Sequence, residues 1–529
     1  MTDTGTTAPP EPAPPSPDAQ GPPSEQPPAE VESKGGFRFP SAFTVLVFLA
    51  VVMWALTFVI PAGEYKTNSE GGPVPGTYHH VPAPLNFKQK TEDLFLSPVN
   101  GLYGNEEAKT GYVEPEPSGP GFLFGSAGVF LFVLAIGAFI AVMFGTGALD
   151  RGIGRLAYRV RDRGWLMIVA IMVVFSILGS VEGMSEETLG FYGLIVPLML
   201  ALGYDRMVAV GVIMIGAGIG VMGSTVNPFS IGIASGFAGV SIGDGIGLRV
   251  LMWVVLTAIA IAYVARYAHR VLAEPGRSLV GFEPGDRERA EATATEAEPP
   301  ALTGRHKLVI AGVVLTFAFM IFSIIPWAEI FSGSGAEPYS WELDWWFPQL
   351  TVLFLVAAVL LGILGGLGEK RITETMSRGA ADILAPALII VFARGITVIM
   401  HNNAITDTVL HAMESVASGT SKAIFAPLIF LVNLPLAFLI PSTSGHATLA
   451  MPILAPLGDF AHVSRSLVIT GWNAASGWIN LITPTSGVVM GGIALAKVGY
   501  NRYIRFIAPL MAILFVVTAV FLAGAALIE

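Results

Sequence analysis

The chain has 529 residues, of which 53% are hydrophobic and 13% are charged, whereas a soluble domain carries about 25% charged residues. Long uncharged runs account for the apolar surplus and indicate a polytopic membrane protein rather than a soluble one. The absence of cysteine excludes disulfides and thiol chemistry, and the net charge of −10 comes with no basic patch of the kind that binds nucleic acid.

The N-terminal part of the chain predicts a tail followed by two spans. Residues 1–40 are rich in Pro, Ser and Glu, which predicts a disordered segment. Residues 41–60 and about 122–147 are apolar and predict membrane spans, separated by a polar loop over about 64–120. The loop that follows, 150–164, contains five arginines. The positive-inside rule places this loop, and hence the N-terminal tail, in the cytoplasm.

Residues 165–202 predict a helical hairpin with a polar tip. Two apolar arms flank the sequence VEGMSEET, and each arm is short for a hydrocarbon core about 30 Å thick. We therefore expect a re-entrant hairpin that enters and leaves on the cytoplasmic side. A pair of short complete spans is the alternative interpretation.

Residues 207–238 form one long apolar stretch that is interrupted by GSTVNPFS. Pro228 removes a backbone donor and Gly223 lowers the cost of leaving the helix, which predicts a discontinuous helix. A further span ends near residue 271, and a linker rich in Glu, Ala and Pro covers residues 272–306. Residues 41–271 are thus predicted to constitute a first transmembrane repeat.

The second half of the chain repeats this order of elements. A connecting span and an acidic external loop occupy residues 307–347, and residues 348–529 are predicted to constitute the second repeat. Within it, residues 423–457 predict a hairpin with the polar tip PSTSGH, and residues 465–496 predict a helix that breaks at TPTSG. The connecting span inverts the second repeat relative to the first and puts the C-terminus outside.

These elements predict an all-α polytopic membrane protein built as an inverted repeat, with two re-entrant hairpins and two discontinuous helices. Unwound backbone inside a bilayer is costly, so it persists only where protein, water or ligand satisfies its polar groups. Inverted repeats with broken helices near the midplane are typical of secondary transporters. In such proteins the helix N-termini bind carboxylates and the free carbonyls bind Na⁺.

The two tips and the two breaks therefore supply the candidate site. The candidate substrate-binding residues are Ser185, Glu186, Ser224, Thr225, Asn227, Ser442, Thr443, Ser444, Thr483, Thr485 and Ser486. The candidates for carrying the coupling ion or proton are Glu182, Glu186, Asn227 and His446. Helix packing is the alternative role for any single Ser or Thr. Arg394 is predicted to be a structural charge within the membrane, paired inside the scaffold.

Several motifs resemble those of a known carrier family. The sequences EGMSEE, PLMLALGYD, VNPF, TSGHATLAMPILAPLGD and TPTSG are similar to those of the YfcC-type branch of the C4-dicarboxylate anaerobic carrier family, within the ion-transporter superfamily. The resemblance covers about residues 41–528. It implies an elevator-type secondary carrier that forms a homodimer, with C4-dicarboxylates or basic amino acids as substrates. The sequence departs from the branch pattern at His446, where Gln is expected, and at Arg394, where Lys is expected.

The residues and the resemblance together predict a secondary active transporter, a symporter or an antiporter, in the plasma membrane. Its expected substrate is a small anionic or zwitterionic solute, either an amino acid, including a basic one similar to arginine or ornithine, or a C4-dicarboxylate. No cofactor or metal is expected beyond Na⁺ or H⁺ as the coupling ion. The alternatives are a passive channel and an intramembrane serine hydrolase, the latter because Ser442, Ser444 and His446 share one tip. We expect no enzyme, because positions two apart in a turn seldom align a serine with its base.

Overall fold

The computed structural model describes residues 42–67, 73–159, 163–283, 286, 300–325, 327–332, 337–439, 443–484 and 486–529. This part of the chain is mostly helical. Two small antiparallel sheets lie between the first helices: β1 (Gly63–Glu64) pairs with β2 (His79–His80), and β3 (Asn105–Glu107) pairs with both β4 (Val113–Glu114) and β5 (Gly121–Leu123). The predicted tail, residues 1–40, lies outside the described residues.

The described helices of the first half lead up to and include the first predicted hairpin and break. In chain order they are α1 (Ala42–Leu56), α2 (Phe87–Tyr103), α3 (Ala127–Gly145), α4 (Ala148–Arg159), α5 (Gly164–Val181), α6 (Tyr192–Ala201), α7 (Arg206–Met222), α8 (Pro228–Ala238) and α9 (Ile246–Ala273). A 3-10 turn, Glu186–Phe191, leads into α6, and α8 opens with a π-helical turn.

The described helices of the second half follow a similar order. They are α10 (Gly304–Ile324), α11 (Trp327–Ser332), α12 (Phe347–Gly365), α13 (Glu369–Asp382), α14 (Leu384–Asn402), α15 (Thr406–Ser418), α16 (Lys422–Leu439), α17 (Thr443–Phe460), α18 (Arg465–Asn480), α19 (Gly487–Leu495) and α20 (Tyr500–Ile528). Each half therefore ends, in chain order, with two helices at the predicted hairpin, a broken helix and a long apolar helix.

Helix length bears on the number of membrane crossings. Among the described residues, six helices (α3, α5, α9, α10, α12 and α20) are long and apolar enough to cross a membrane, or seven if α13 and α14 form one bent span. The protein is therefore a multi-pass membrane protein by its helices. Helix α5 passes this test, so the shortness of the first arm does not by itself require re-entry.

Two segments that the sequence predicts as loops contain amphipathic helices. Helix α2 lies within the polar loop at 64–120, and α4 occupies most of the arginine-rich loop at 150–164. Both predictions of loop are wrong for one reason. A search for long uncharged runs overlooks a helix that is apolar on one face only.

Helices α2 and α13 connect the two halves, because each packs against a helix of the other half. Helix α2 of the first half packs against α14 of the second, and α13 of the second packs against α3 of the first. Glycines permit the close approach at both contacts. A Cβ on Gly101 would lie 2.6 Å from the amide nitrogen of Gly395, and a Cβ on Gly379 would collide with the carbonyl of Gly137. The two halves thus form one interlocked body rather than two independent bundles.

The first part of the predicted linker packs onto the body. Arg206, at the start of α7, forms ion pairs with Glu283, at 2.7 Å, and with Asp286. The carboxylate of Asp205 caps α7 and also accepts hydrogen bonds from Tyr267 and Ser278, each at 2.6 Å. These contacts tie the segment after α9 to the beginning of the broken helix. Residues 287–299 of the predicted linker lie outside the described residues.

Candidate functional site

The first break separates α7 from α8 and is held by the end of the first arm. The amide of Thr225 donates to the carbonyl and to the hydroxyl of Ser180, each at 3.1 Å. The Ser180 hydroxyl in turn donates to the Thr225 hydroxyl at 3.1 Å. These bonds satisfy backbone groups that the unwound segment leaves without helical partners.

Asn227 organises the far side of this break. Its side-chain oxygen accepts from the Phe229 amide at 2.9 Å and so caps α8, while its amide group donates to the Ser224 hydroxyl at 3.2 Å. The tip after α5 lies directly against it. Gly183 has a φ of +88°, and a Cβ there would lie 2.6 Å from the Asn227 side-chain oxygen. The first tip and the first break therefore meet at a glycine.

The second break has a matching cap but different donors to its carbonyls. The Ser486 hydroxyl accepts from the Val489 amide at 3.4 Å and caps α19. The carbonyls of Leu481 and Ile482 accept hydrogen bonds from Tyr503 at 2.7 Å and from Tyr500 at 2.6 Å. Both tyrosines lie in the first turn of α20, so the helix that follows the break also supports it.

Arg249 supports the first break in the corresponding way, by donating hydrogen bonds to backbone carbonyls there. It lies near the start of α9, is 1% exposed, and donates from Nε to the Thr225 carbonyl at 2.9 Å. Its other nitrogens donate to the carbonyls of Asp244 at 2.6 Å and Ile242 at 2.5 Å. The sequence analysis missed this residue. The available signal was a single cation just inside a long apolar helix, which is costly unless its donors are satisfied.

Asn473 joins the two broken helices and was also missed. Its amide group donates to the carbonyls of Val221 at 3.1 Å and Met222 at 3.0 Å, at the end of α7. A Cβ on Gly477, one turn further along α18, would collide with Met222. The two broken helices therefore cross in direct contact next to their breaks.

A central cavity of about 640 Å³ lies where these elements converge. It is lined by polar side chains from both tips and both breaks, which are Ser185, Glu187, Asn227, Ser230, Thr443, Ser444, Asn480 and Ser486. Asp382, at the end of α13, also lines it. The sequence analysis gave five of these nine residues as site candidates, and Glu187, Ser230, Asn480 and Asp382 were not among its candidates. Ser230 is fully buried, and its hydroxyl has no hydrogen-bond partner among the described residues.

The structure changes the local conformation predicted for the second tip. Thr443, Ser444 and His446 were expected in an unwound turn, yet they occupy the first turn of α17. Within the second tip and break, Ser442 and Thr485 lie outside the described residues, as does the side chain of Glu186 in the first tip.

Four predicted residues lie near the cavity without lining it. Ser224 donates to the Val221 carbonyl at 2.7 Å, and Thr225 is engaged by Ser180 as described. Thr483 lines a smaller cavity of about 370 Å³ beside α20. Glu182 is 1% exposed, and neither of its carboxylate oxygens has a hydrogen-bond partner among the described residues. A buried carboxylate without partners is energetically expensive, which marks Glu182 for a functional role.

His446 and Arg394 have neutral partners within the protein. The ring nitrogens of His446 lie 3.0 Å from the hydroxyl of Ser476 and 3.0 Å from the side-chain oxygen of Asn433. Arg394 donates to the Phe124 carbonyl at 2.8 Å, and its guanidinium lies 3.8 Å from the centre of the Phe124 ring. Both environments favour structural roles, although the predicted part of His446 in coupling stays a prediction.

Comparison with known proteins identifies a matching family and two relatives of similar length. The family model described as "C4-dicarboxylate anaerobic carrier" matches residues 39–527. An uncharacterized protein of Haemophilus influenzae is 31% identical over 517 residues, which is 93% of this chain and 97% of that protein. The Escherichia coli protein described as "Putative basic amino acid antiporter YfcC" is 30% identical over 506 residues, which is 92% of this chain and 96% of that protein.

Two solved structures have a similar fold at low sequence identity. The YdaH transporter of Alcanivorax borkumensis gives a TM-score of 0.64 at 13% identity, over 92% of this chain and 98% of its own. MtrF of Neisseria gonorrhoeae, described as illuminating a class of antimetabolite efflux pumps, gives a TM-score of 0.65 at 15% identity, over 92% of this chain and 95% of its own.

Proposed function

The chain belongs to the C4-dicarboxylate anaerobic carrier family, and from this premise we propose that it is a secondary active transporter of small carboxylate-bearing amino acids. Membership places it among transporters of the membrane rather than among enzymes. The intramembrane serine hydrolase considered from the sequence is therefore set aside. Amino acid selectivity, coupling and an elevator movement are the parts that we propose.

The composition of the central cavity carries the proposal. Hydroxyl and amide groups from both tips and both breaks converge there, and the helix caps Asn227 and Ser486 lie at its wall. Such groups suit a substrate carboxylate. The described lining also contains Glu187 and Asp382 but no Lys or Arg. A dicarboxylate would bring two further negative charges to these acids, whereas the ammonium group of an amino acid is attracted by them.

A panel of labelled solutes tests the proposal. We expect purified protein in proteoliposomes to take up arginine or ornithine in preference to succinate, because of the acids in the cavity wall. Uptake is measured with and without Na⁺, with and without a pH gradient, and with liposomes preloaded with unlabelled amino acid to detect exchange. Preference for succinate over every amino acid would overturn the proposed substrate class.

The coupling ion is proposed to be H⁺ rather than Na⁺. The carbonyls of Thr225, Leu481 and Ile482, which lie at the two breaks, already accept hydrogen bonds from protein side chains. Glu182, by contrast, is a buried carboxylate without partners beside the first tip. Such a group is suited to taking up and releasing a proton as its surroundings change.

Replacing Glu182 with Gln should remove the dependence of uptake on a pH gradient. The amide keeps the shape of the side chain but carries no titratable proton, so exchange of substrates should persist while net proton-driven uptake falls to the level without a gradient. Glu274→Gln, at an exposed position just after α9, is the matched control. If the pH gradient stimulates uptake by Glu182→Gln as much as uptake by the control, the coupling proton is carried by another residue.

A further inference from the structure

A second cavity of about 580 Å³ adjoins the central one. Ile140, Glu187, Asp382 and Ile383 line both cavities, which makes them two lobes of one continuous space. The second lobe is bounded by α3, by α4, by the 3-10 turn after the first tip and by α13. The site is therefore longer than the central cavity alone and has two ends of different chemistry.

The second lobe is acidic at its polar positions and apolar elsewhere. Asp150, Glu187 and Asp382 are its charged residues, and the described lining contains no Lys, Arg or His. Neither Asp150 nor Asp382 forms an ion pair with any described residue. The remaining wall consists of aliphatic and aromatic side chains and three glycines. A lobe with this lining suits a chain of methylene groups that ends in a cation.

The central lobe offers neutral hydrogen-bonding groups that lack partners. The hydroxyl of the fully buried Ser230 and the side-chain oxygen of Asn480 have no partner among the described residues, and both residues line this lobe. A buried polar group without a partner is costly unless a ligand or water satisfies it. These groups therefore indicate a ligand in the central lobe independently of the acidic residues.

We infer that Asp150 and Asp382 determine specificity for a cationic amino acid, with the substrate's side-chain cation beside them in the second lobe and its carboxylate end in the central lobe near Ser230. This inference rests on the proposed function and adds to it the orientation of the substrate and two specificity-determining residues. Glu187, common to both lobes, lies between the two ends.

Comparing arginine with citrulline tests the recognition of the side-chain cation alone, because the two molecules are nearly equal in shape and differ in side-chain charge. In proteoliposomes, wild-type protein should take up arginine with a KM about tenfold lower than that of citrulline. Asp382→Asn should raise the KM for arginine about tenfold, leave the KM for citrulline unchanged and alter the maximal rate little. Glu374→Gln, at an exposed position on the same helix α13, is the matched control and should change neither KM.

Citrulline uptake also reports whether each variant is folded. If Asp382→Asn yields no monodisperse protein, the same comparison is made with Asp150→Asn, since Asp150 belongs to a different helix and, like Asp382, is exposed. An arginine KM unaffected by either substitution would overturn the inference while leaving amino acid transport intact. An equal loss for arginine and citrulline would overturn it as well, because that pattern marks a structural role. Uptake of neither amino acid by wild-type protein would instead refute the proposed function.

Discussion

Replacing Arg249 with methionine should abolish uptake and destabilise the folded protein. The methionine fills part of the same volume but leaves the carbonyls of Thr225, Asp244 and Ile242 without the donors that now satisfy them. Each buried carbonyl left without a donor costs about 1 to 3 kcal/mol of the free energy of unfolding. The first break would then lose the conformation in which Asn227 caps α8 and faces the cavity.

Two further variants separate the role of Arg249 from a general effect on α9. Arg266→Met changes an exposed arginine of the same helix and should leave uptake and thermal stability near the wild-type values. Arg249→Lys keeps the charge, but one ammonium lacks the spread of donors that reaches several carbonyls, so it should restore only part of the stability. Uptake in proteoliposomes and thermal unfolding in detergent measure both effects. Wild-type uptake by Arg249→Met would refute the assigned role.

Replacing Gly183 with alanine should reduce uptake strongly while leaving most of the fold intact. The φ of +88° is strained for a residue with a side chain and costs about 1 to 3 kcal/mol. The new Cβ would also lie 2.6 Å from the side-chain oxygen of Asn227. The tip must then withdraw from the break, or the cap on α8 must be lost. Either movement disturbs the wall of the central cavity where Ser185 and Asn227 lie together.

Gly193 supplies the matched control within the same predicted hairpin. It lies in the first turn of α6, lines neither lobe of the site, and a Cβ added there meets no atom within 4 Å. Gly193→Ala should therefore transport at nearly the wild-type rate. Substrate affinity and maximal rate are compared for the two alanine variants in the same liposomes. Similar values for both would mean that the contact between tip and break has no influence on transport.

The positions of the tips and breaks were predictable because proline, glycine and hydroxyl residues interrupt long apolar runs there. Ser185, Asn227, Ser444 and Ser486, one from each tip and each break, line one cavity, while their role in binding stays a prediction. Sequence alone did not reveal how each break is supported. Arg249, Tyr500 and Tyr503 belong to the helices that follow the breaks, and at the edge of an apolar run such residues resemble ordinary interfacial side chains.

The acidic lobe was not predictable for a related reason. Asp150 and Asp382 lie on amphipathic helices from opposite halves of the chain, and only tertiary packing brings them to one cavity. The amphipathic helices themselves were overlooked, because their apolar residues are spaced along one face instead of forming continuous runs.

The reciprocal packing of α2 on α14 and of α13 on α3 has a consequence for biosynthesis. Gly101 is synthesised about 290 residues before Gly395, its contact on α14. At translation rates of about 5 to 20 residues per second, α2 waits roughly 15 to 60 s for its partner. During that interval Asp93, which in the folded protein accepts a hydrogen bond from Asn402 of α14, lacks that donor, so the polar face of α2 must stay hydrated until α14 has been made. A ribosome stalled in the second half would leave a nascent chain that is vulnerable to proteolysis at α2.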